Sequence, residues 1–203
     1  MKLYFAPMAC SLAPHIVMRE LDLEFRLVGV NNKTKKTTEG KDFLAVNPKG
    51  YVAALALPDG RILTEAPAIL QYLADQSPQG QLAPAPTSRE RPRLQEWLNF
   101  IATELHASAS PLFDERIPDT VKAIYKDKLF KRFDFLANTL EHQDYLLVRY
   151  GVADPYLYTV LTWMPRFSIE IDQWPALHRY MKRIGARQAV LEAEAAERRI
   201  RIP

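Results

Sequence analysis

Lys2-Leu3-Tyr4-Phe5-Ala6-Pro7-Met8-Ala9-Cys10-Ser11-Leu12 reads as a short apolar strand handing over to a helix. Over residues 11–21 the apolar positions fall at helical spacing, with Leu12, His15, Ile16 and Arg19 on one face and Val17 and Met18 beside it. Residues 25–30 are apolar and β-branched enough for a second strand, which completes a strand–helix–strand unit. Asn47-Pro48-Lys49-Gly50 signals a turn, residues 52–57 a third strand, Asp59-Gly60 a hairpin turn and residues 61–63 a fourth strand. Thr64 is expected to cap a helix that begins at Glu65, with Pro67 in its first turn and Ile69, Leu70, Tyr72 and Leu73 on its apolar side. Residues 1–80 therefore read as a small α/β domain.

Residues 76–86 carry Pro78, Gly80, Pro84 and Pro86 and read as a linker. Beyond it only helices are expected, over 88–113, 119–140, 153–168, 174–184 and 187–198, punctuated by Pro111, Pro118, Gly151, Pro155 and Pro175. Residues 87–203 thus form a second, all-helical domain. The chain has 203 residues, 48% hydrophobic and 25% charged, which suits a soluble protein with a real core. Its 27 basic and 24 acidic residues leave a net charge of +3, too balanced for a nucleic-acid or membrane surface. Pro7, Pro14 and Arg19-Glu20 interrupt the first apolar stretch, so no signal peptide is read there, and a cytoplasmic protein is expected.

Cys10 is the single cysteine of the chain. It can form neither an internal disulfide nor a multi-cysteine metal site, which leaves burial, reactivity or pairing with an outside thiol. At the first turn of a helix, unpaired N–H groups and the dipole favour a thiolate. Two more fixtures stand in the same half. An unpaired extended segment at Tyr51-Val52-Ala53 could pair with a peptide-like ligand. At the helix start, the Glu65 and Ala66 N–H groups could hold a carboxylate and the Glu65 side chain an amine. Glutathione has the thiol, the peptide backbone and the α-amino acid end that would use all three. In the helical half, Asn99, Thr103 and His106 are spaced by four and three, one face of an α-helix.

These stretches resemble the bacterial beta-class glutathione transferases, end to end. The resemblance is carried by Ala9-Cys10-Ser11-Leu12, Pro14-His15-Ile16, Gly40-Lys41-Asp42-Phe43, Ala45-Val46-Asn47-Pro48-Lys49-Gly50 and Leu63-Thr64-Glu65. Gln71-Tyr72-Leu73-Ala74-Asp75, the run from Glu96-Trp97 to Leu105-His106, and Val152-Ala153-Asp154 with Tyr156-Leu157 extend it. It implies a thioredoxin-like N-terminal domain, a helical C-terminal domain, and a homodimer with its site near the interface. It implies glutathione as co-substrate, a hydrophobic electrophile as its partner in the reaction, and no metal. Carried over, Cys10 would lie beside the glutathione sulfur and Val52 would pair with the cysteinyl unit. Glu65 and the Ala66 N–H would hold the γ-glutamyl end. Lys35, Asn99, Thr103 and His106 would line the remainder, with Glu104 reaching the partner subunit's site and Cys10 and His106 in the catalytic roles. Met8, Phe113 and Met164 are expected to line the electrophile pocket.

The chain departs from the family at several points. The family has a cis-proline where Ala53 stands; a non-proline cis bond costs about 3–4 kcal/mol, so a trans bond and a reshaped loop are expected. Ala66 replaces serine or glycine, Ala107 a lysine, Tyr51 a glutamine, and Gly151 the serine or threonine of a capping box. Two readings follow. The first is a transferase conjugating the glutathione thiolate to electrophiles, with thiol–disulfide exchange through Cys10. The second is a relative weakened by Ala53 that serves as a binding or interaction protein.

Overall fold

The structure, a computed structural model, describes residues 1–77, 80 and 82–202. Its first half is a four-stranded mixed sheet in the order β2-β1-β3-β4. The strands are β1 (Lys2–Phe5), β2 (Arg26–Gly29), β3 (Ala54–Ala56) and β4 (Ile62–Thr64). β1 pairs parallel with β2, Leu3 opposite Leu27, across the helix α1 (Leu12–Glu20). β3 runs antiparallel to both β1 and β4, with Leu55 opposite Leu3 on one side and Leu63 on the other. This is a thioredoxin-like sheet. The two-residue period sorts its side chains: Leu3, Phe5 and Leu55 enter the main core, whereas Tyr4, Ala54 and Val28 join Phe43 in a smaller cluster on the opposite face.

Helix α1 is buried from Leu12 to Met18, packed against the helices α2 (Ala66–Ala74), α6 (Ala153–Leu161) and α8 (Gln188–Arg199). Among the described residues, the elements of the second half are all helices, with an irregular stretch over 141–152. α3 (Arg91–Phe100) runs into a π-helical turn (Ile101–His106), a short α4 (Ala107–Ala109) and a 3-10 turn at Ser110–Phe113. α5 (Asp119–Leu140) buries Leu129, Phe133, Leu136 and Leu140, the stripe of an amphipathic helix, and packs against α7 (Pro175–Gly185). Arg91 ties the halves together: its two terminal nitrogens reach Asp75 Oδ1 at 2.8 Å and Oδ2 at 2.9 Å, and one also donates to the Pro84 carbonyl.

Some expected details differ. Pro78 of the expected linker lies outside the described residues. The third strand starts at Ala54, two residues late, and the Val52–Ala53 peptide ahead of it is cis. Thr64 does not cap α2. Glu65 occupies the N-cap position at φ 70° without a side-chain cap, and the Thr64 hydroxyl accepts from Lys49 Nζ at 2.7 Å. Gly151 does not leave the start of α6 open either: its N–H donates to Asp154 Oδ2 at 2.8 Å, while Leu146 N–H donates to Oδ1 at 3.0 Å. A Cβ at Gly151 would lie 2.9 Å from the Leu82 carbonyl oxygen, so this close approach suits glycine.

Candidate active site

Cys10 lies where β1 gives way to α1, in a turn held from several directions. Ser11 Oγ accepts from the Ala6 N–H at 3.2 Å and donates to the Ala6 carbonyl at 3.3 Å. Met8, at φ 57°, donates its N–H to the buried Glu197 at 3.0 Å and accepts from Trp163 Nε1 at 2.9 Å. Glu197 in turn receives His15 Nδ1–H at 3.0 Å, because Arg19 Nε donates to His15 Nε2. Residues over 150 positions away thus fix the turn that carries the thiol.

The half-buried Cys10 thiol donates to the Val52 carbonyl at 3.1 Å. Burial pushes it up to about 11, outweighing the opposite pull of the N–H groups of Ala53, Cys10 and Ser11; nearby Glu65 also raises it. The expectation of a resting thiolate is therefore corrected: desolvation outweighs the helix N-terminus, and the thiol stays protonated at neutral pH. The expectation of a trans Val52–Ala53 bond is corrected too: the bond is cis. The surroundings specify this loop closely. Lys35 Nζ donates to the Gly50 carbonyl at 2.8 Å, Asn47 Nδ2 to the Tyr51 carbonyl at 2.7 Å, and Cys10 to Val52. Tyr51 projects into solvent, its ring 5.4 Å from Lys35 Nζ.

The Val52 and Ala66 N–H groups have no acceptor among the described residues. The Glu65 carboxylate meets Lys49 Nζ in an exposed, short ion pair. His106 closes the π-helical turn; its Nδ1 lies 2.9 Å from the Tyr156 hydroxyl and its ring stacks edge-on at 5.0 Å from Trp163. Burial lowers the His106 pKa, partly offset by Glu65, so the imidazole is neutral at pH 7. Phe113, 42% exposed, stacks on Trp163 at 5.5 Å and on Phe167 at 4.7 Å, forming an aromatic wall beside His106. Met164, expected in this wall, is fully buried instead.

The family model "Glutathione S-transferase, N-terminal domain" matches residues 7–76, and its C-terminal counterpart matches residues 100–188. Glutathione S-transferase GstA of Escherichia coli O157:H7 is 41% identical over 97% of this chain and 98% of its own. The chain belongs to the glutathione S-transferase family.

Solved transferases overlay it closely. The ternary complex of BphK, a bacterial GST, is 51% identical with a TM-score of 0.95, covering 97% of this chain and 99% of its own. A sphingomonad transferase complexed with glutathione is 43% identical with a TM-score of 0.96, covering 98% of this chain and 100% of its own. Bacterial beta-class members are among these structural neighbours.

Within this transferase fold, Cys10, Val52, Glu65 and His106 share one electrostatic neighbourhood. Asn99 and Thr103 are exposed on the helical run that ends at His106, and Thr103 Oγ1 donates back to the Asn99 carbonyl at 2.9 Å. The π-turn changes their phase from the α-helical spacing that the sequence suggests. Glu104 is held by Arg132 at 2.8 Å and Lys128 at 3.5 Å, and Arg132 keeps its carboxyl below the usual range. Ala107 is exposed. Reasoning from sequence missed Lys49, Trp163 and Glu197 as parts of the site, and it passed over Tyr156 as one letter of a matching stretch. Only their long-range contacts mark them. A separate groove of about 750 Å³ lies in the helical half, lined by Trp97, Phe100, Phe135 and Leu146 and by none of the candidate site residues.

Proposed function

We propose that this chain is a glutathione transferase that adds the glutathione thiolate to small hydrophobic electrophiles. One observation carries the reading: the Cys10 thiol sits on the Val52 carbonyl, the Val52 and Ala66 N–H groups remain for a peptide-like ligand, and the Glu65 carboxylate beside them is held only by the exposed Lys49. The cysteinyl unit pairs with the Val52 backbone. The γ-glutamyl ammonium displaces Lys49 from Glu65, and its carboxylate meets the Ala66 N–H at the start of α2. Lys35 draws the glycyl carboxylate, Asn99 and Thr103 line the approach, and His106 faces the sulfur. The aromatic wall of Phe113 and Trp163 receives the electrophile. The thiol proton leaves to solvent, a sulfur lone pair forms the new carbon–sulfur bond, and a displaced halide departs with the electrons of its own bond.

Cys10 serves first as a hydrogen-bond donor. Disulfide exchange through it requires its thiolate, which burial keeps scarce, so exchange is the slower reaction. We divide the chain at 1–80 and 87–203, place it in the cytoplasm, and assign it a homodimer in which Glu104 approaches the partner subunit's site. The open apolar groove beside Trp97 supports that assembly. The test is conjugation of 1-chloro-2,4-dinitrobenzene. Turnover is expected in the native protein, with KM for glutathione raised about tenfold or more in Glu65→Ala. No turnover with this or other aryl and alkyl halides would refute the reading.

A further inference from the structure

Tyr156 is buried in α6, 1% exposed, and its hydroxyl has one hydrogen-bond partner among the described residues, His106 Nδ1 at 2.9 Å. A buried phenol must give its proton to an acceptor or leave it unsatisfied. If His106 donated from Nδ1, the Tyr156 proton would have no acceptor. The satisfied arrangement has Tyr156 donating to an unprotonated Nδ1, which puts the imidazole proton on Nε2. Nε2 has no other partner among the described residues, and the ring is only half-buried. Trp163 fixes the ring plane from one side and Tyr156 from another, at centroid distances of 5.0 and 6.0 Å. The titratable groups acting on the pair are Cys10, itself protonated, and Glu65, engaged by Lys49.

We propose that Tyr156 is a positioning residue: by donating to His106 Nδ1 it holds His106 as a neutral hydrogen-bond donor whose Nε2–H meets the glutathione sulfur. The proposal rests on the glutathione reading above and goes beyond it. It excludes His106 as the base that removes the thiol proton, since Nε2 is already protonated. It also divides the histidines into two tautomers: His15 carries its proton on Nδ1, between Glu197 and Arg19, and His106 on Nε2. Burial, which holds the Tyr156 phenol far above its ordinary range, favours the phenol as donor at every working pH.

Nitrogen-15 spectra of labelled histidines in the free protein test the first half, with His106→Asn assigning the signal. A neutral His106 with Nε2 protonated at pH 7 is expected, and a protonated Nδ1 or an imidazolium would overturn the proposal. Because the spectrum needs no ligand, its failure is distinct from a failure to bind glutathione. Tyr156→Phe tests the second half and keeps the ring. It is expected to lower kcat/KM for conjugation about tenfold near neutral pH and raise the apparent pKa of the bound thiol by about one unit, with KM for glutathione changed by less than about twofold. A folded Tyr156→Phe protein with an unchanged pH profile would overturn the assignment to the sulfur.

Discussion

The Cys10 thiol donates to the carbonyl of Val52 across 3.1 Å, joining the helix start to the loop ahead of β3. Yet a cysteine at this helix N-terminus is not activated: burial outweighs the N–H groups of Ala53, Cys10 and Ser11, and nearby Glu65 adds to it, so the protonated form is favoured.

Alkylation should report this directly. The rate of Cys10 modification by iodoacetamide is expected to be slow at pH 7 and to climb about tenfold per pH unit toward a midpoint near 11. A plateau reached by pH 8 would show a stabilised thiolate. Cys10→Ala should keep the fold and abolish any mixed disulfide with glutathione, and an unchanged adduct by mass spectrometry would contradict that role.

Lys49 pairs with Glu65, the carboxylate proposed to receive the ligand ammonium. Lys49→Met is expected to lower KM for glutathione by about two- to fivefold, a small effect because the pair is exposed and screened. The benefit should shrink as salt is raised. A higher KM in the variant would mean that Lys49 itself holds the ligand.

Asp154 is buried beneath the start of α6, and burial raises its carboxyl to about 6 despite bonds from Leu146, Gly151 and Tyr180. A carboxyl raised in the folded state binds protons more tightly there than in the unfolded chain. Its contribution to stability is therefore full below the ordinary carboxylate range and is lost as pH rises through about 6, by roughly 3 kcal/mol. Asp154→Asn should be less stable, since an amide NH₂ cannot accept from both peptide N–H groups. The difference in unfolding free energy between native protein and variant should narrow between pH 4 and 7. Urea titrations in which it widens would show that the N–H donors hold Asp154 as a carboxylate.

Arg91 bridges α2 and α3 through Asp75 and Pro84. Arg91→Ala leaves the Asp75 carboxylate without its partner. A loss of about 2 kcal/mol is expected in urea unfolding, below the figure for a fully buried pair because Asp75 is partly exposed. A change under about 0.5 kcal/mol would remove Arg91 from the forces joining the halves.

Much of the fold is legible in local pattern. Alternation across Leu3, Tyr4 and Phe5, the spacing of Leu12, Ile16 and Val17, and the Asp59-Gly60 turn each report a short-range constraint, and the structure keeps them. The stretches around Cys10, Asn47 and Glu65 likewise announce the family. What local pattern cannot carry is any property set by partners far along the chain. The Cys10 pKa depends on burial and on Ala53 and Glu65, more than forty positions along the chain. The Met8 turn depends on Trp163 and Glu197, and the His106 tautomer on Tyr156 fifty positions away. The π-turn displaces Thr103 and His106 from α-helical phase, although their letters fit an α-helix equally well.

The central claim is that the loop at Val52, the start of α2 and His106 form a glutathione site. Isothermal titration of the purified protein with reduced glutathione, under reducing conditions, tests it most directly. The account predicts saturable binding in the micromolar to low-millimolar range, weakened in Glu65→Ala. No heat at several temperatures, with no displacement of a dye bound at the same site, would contradict it.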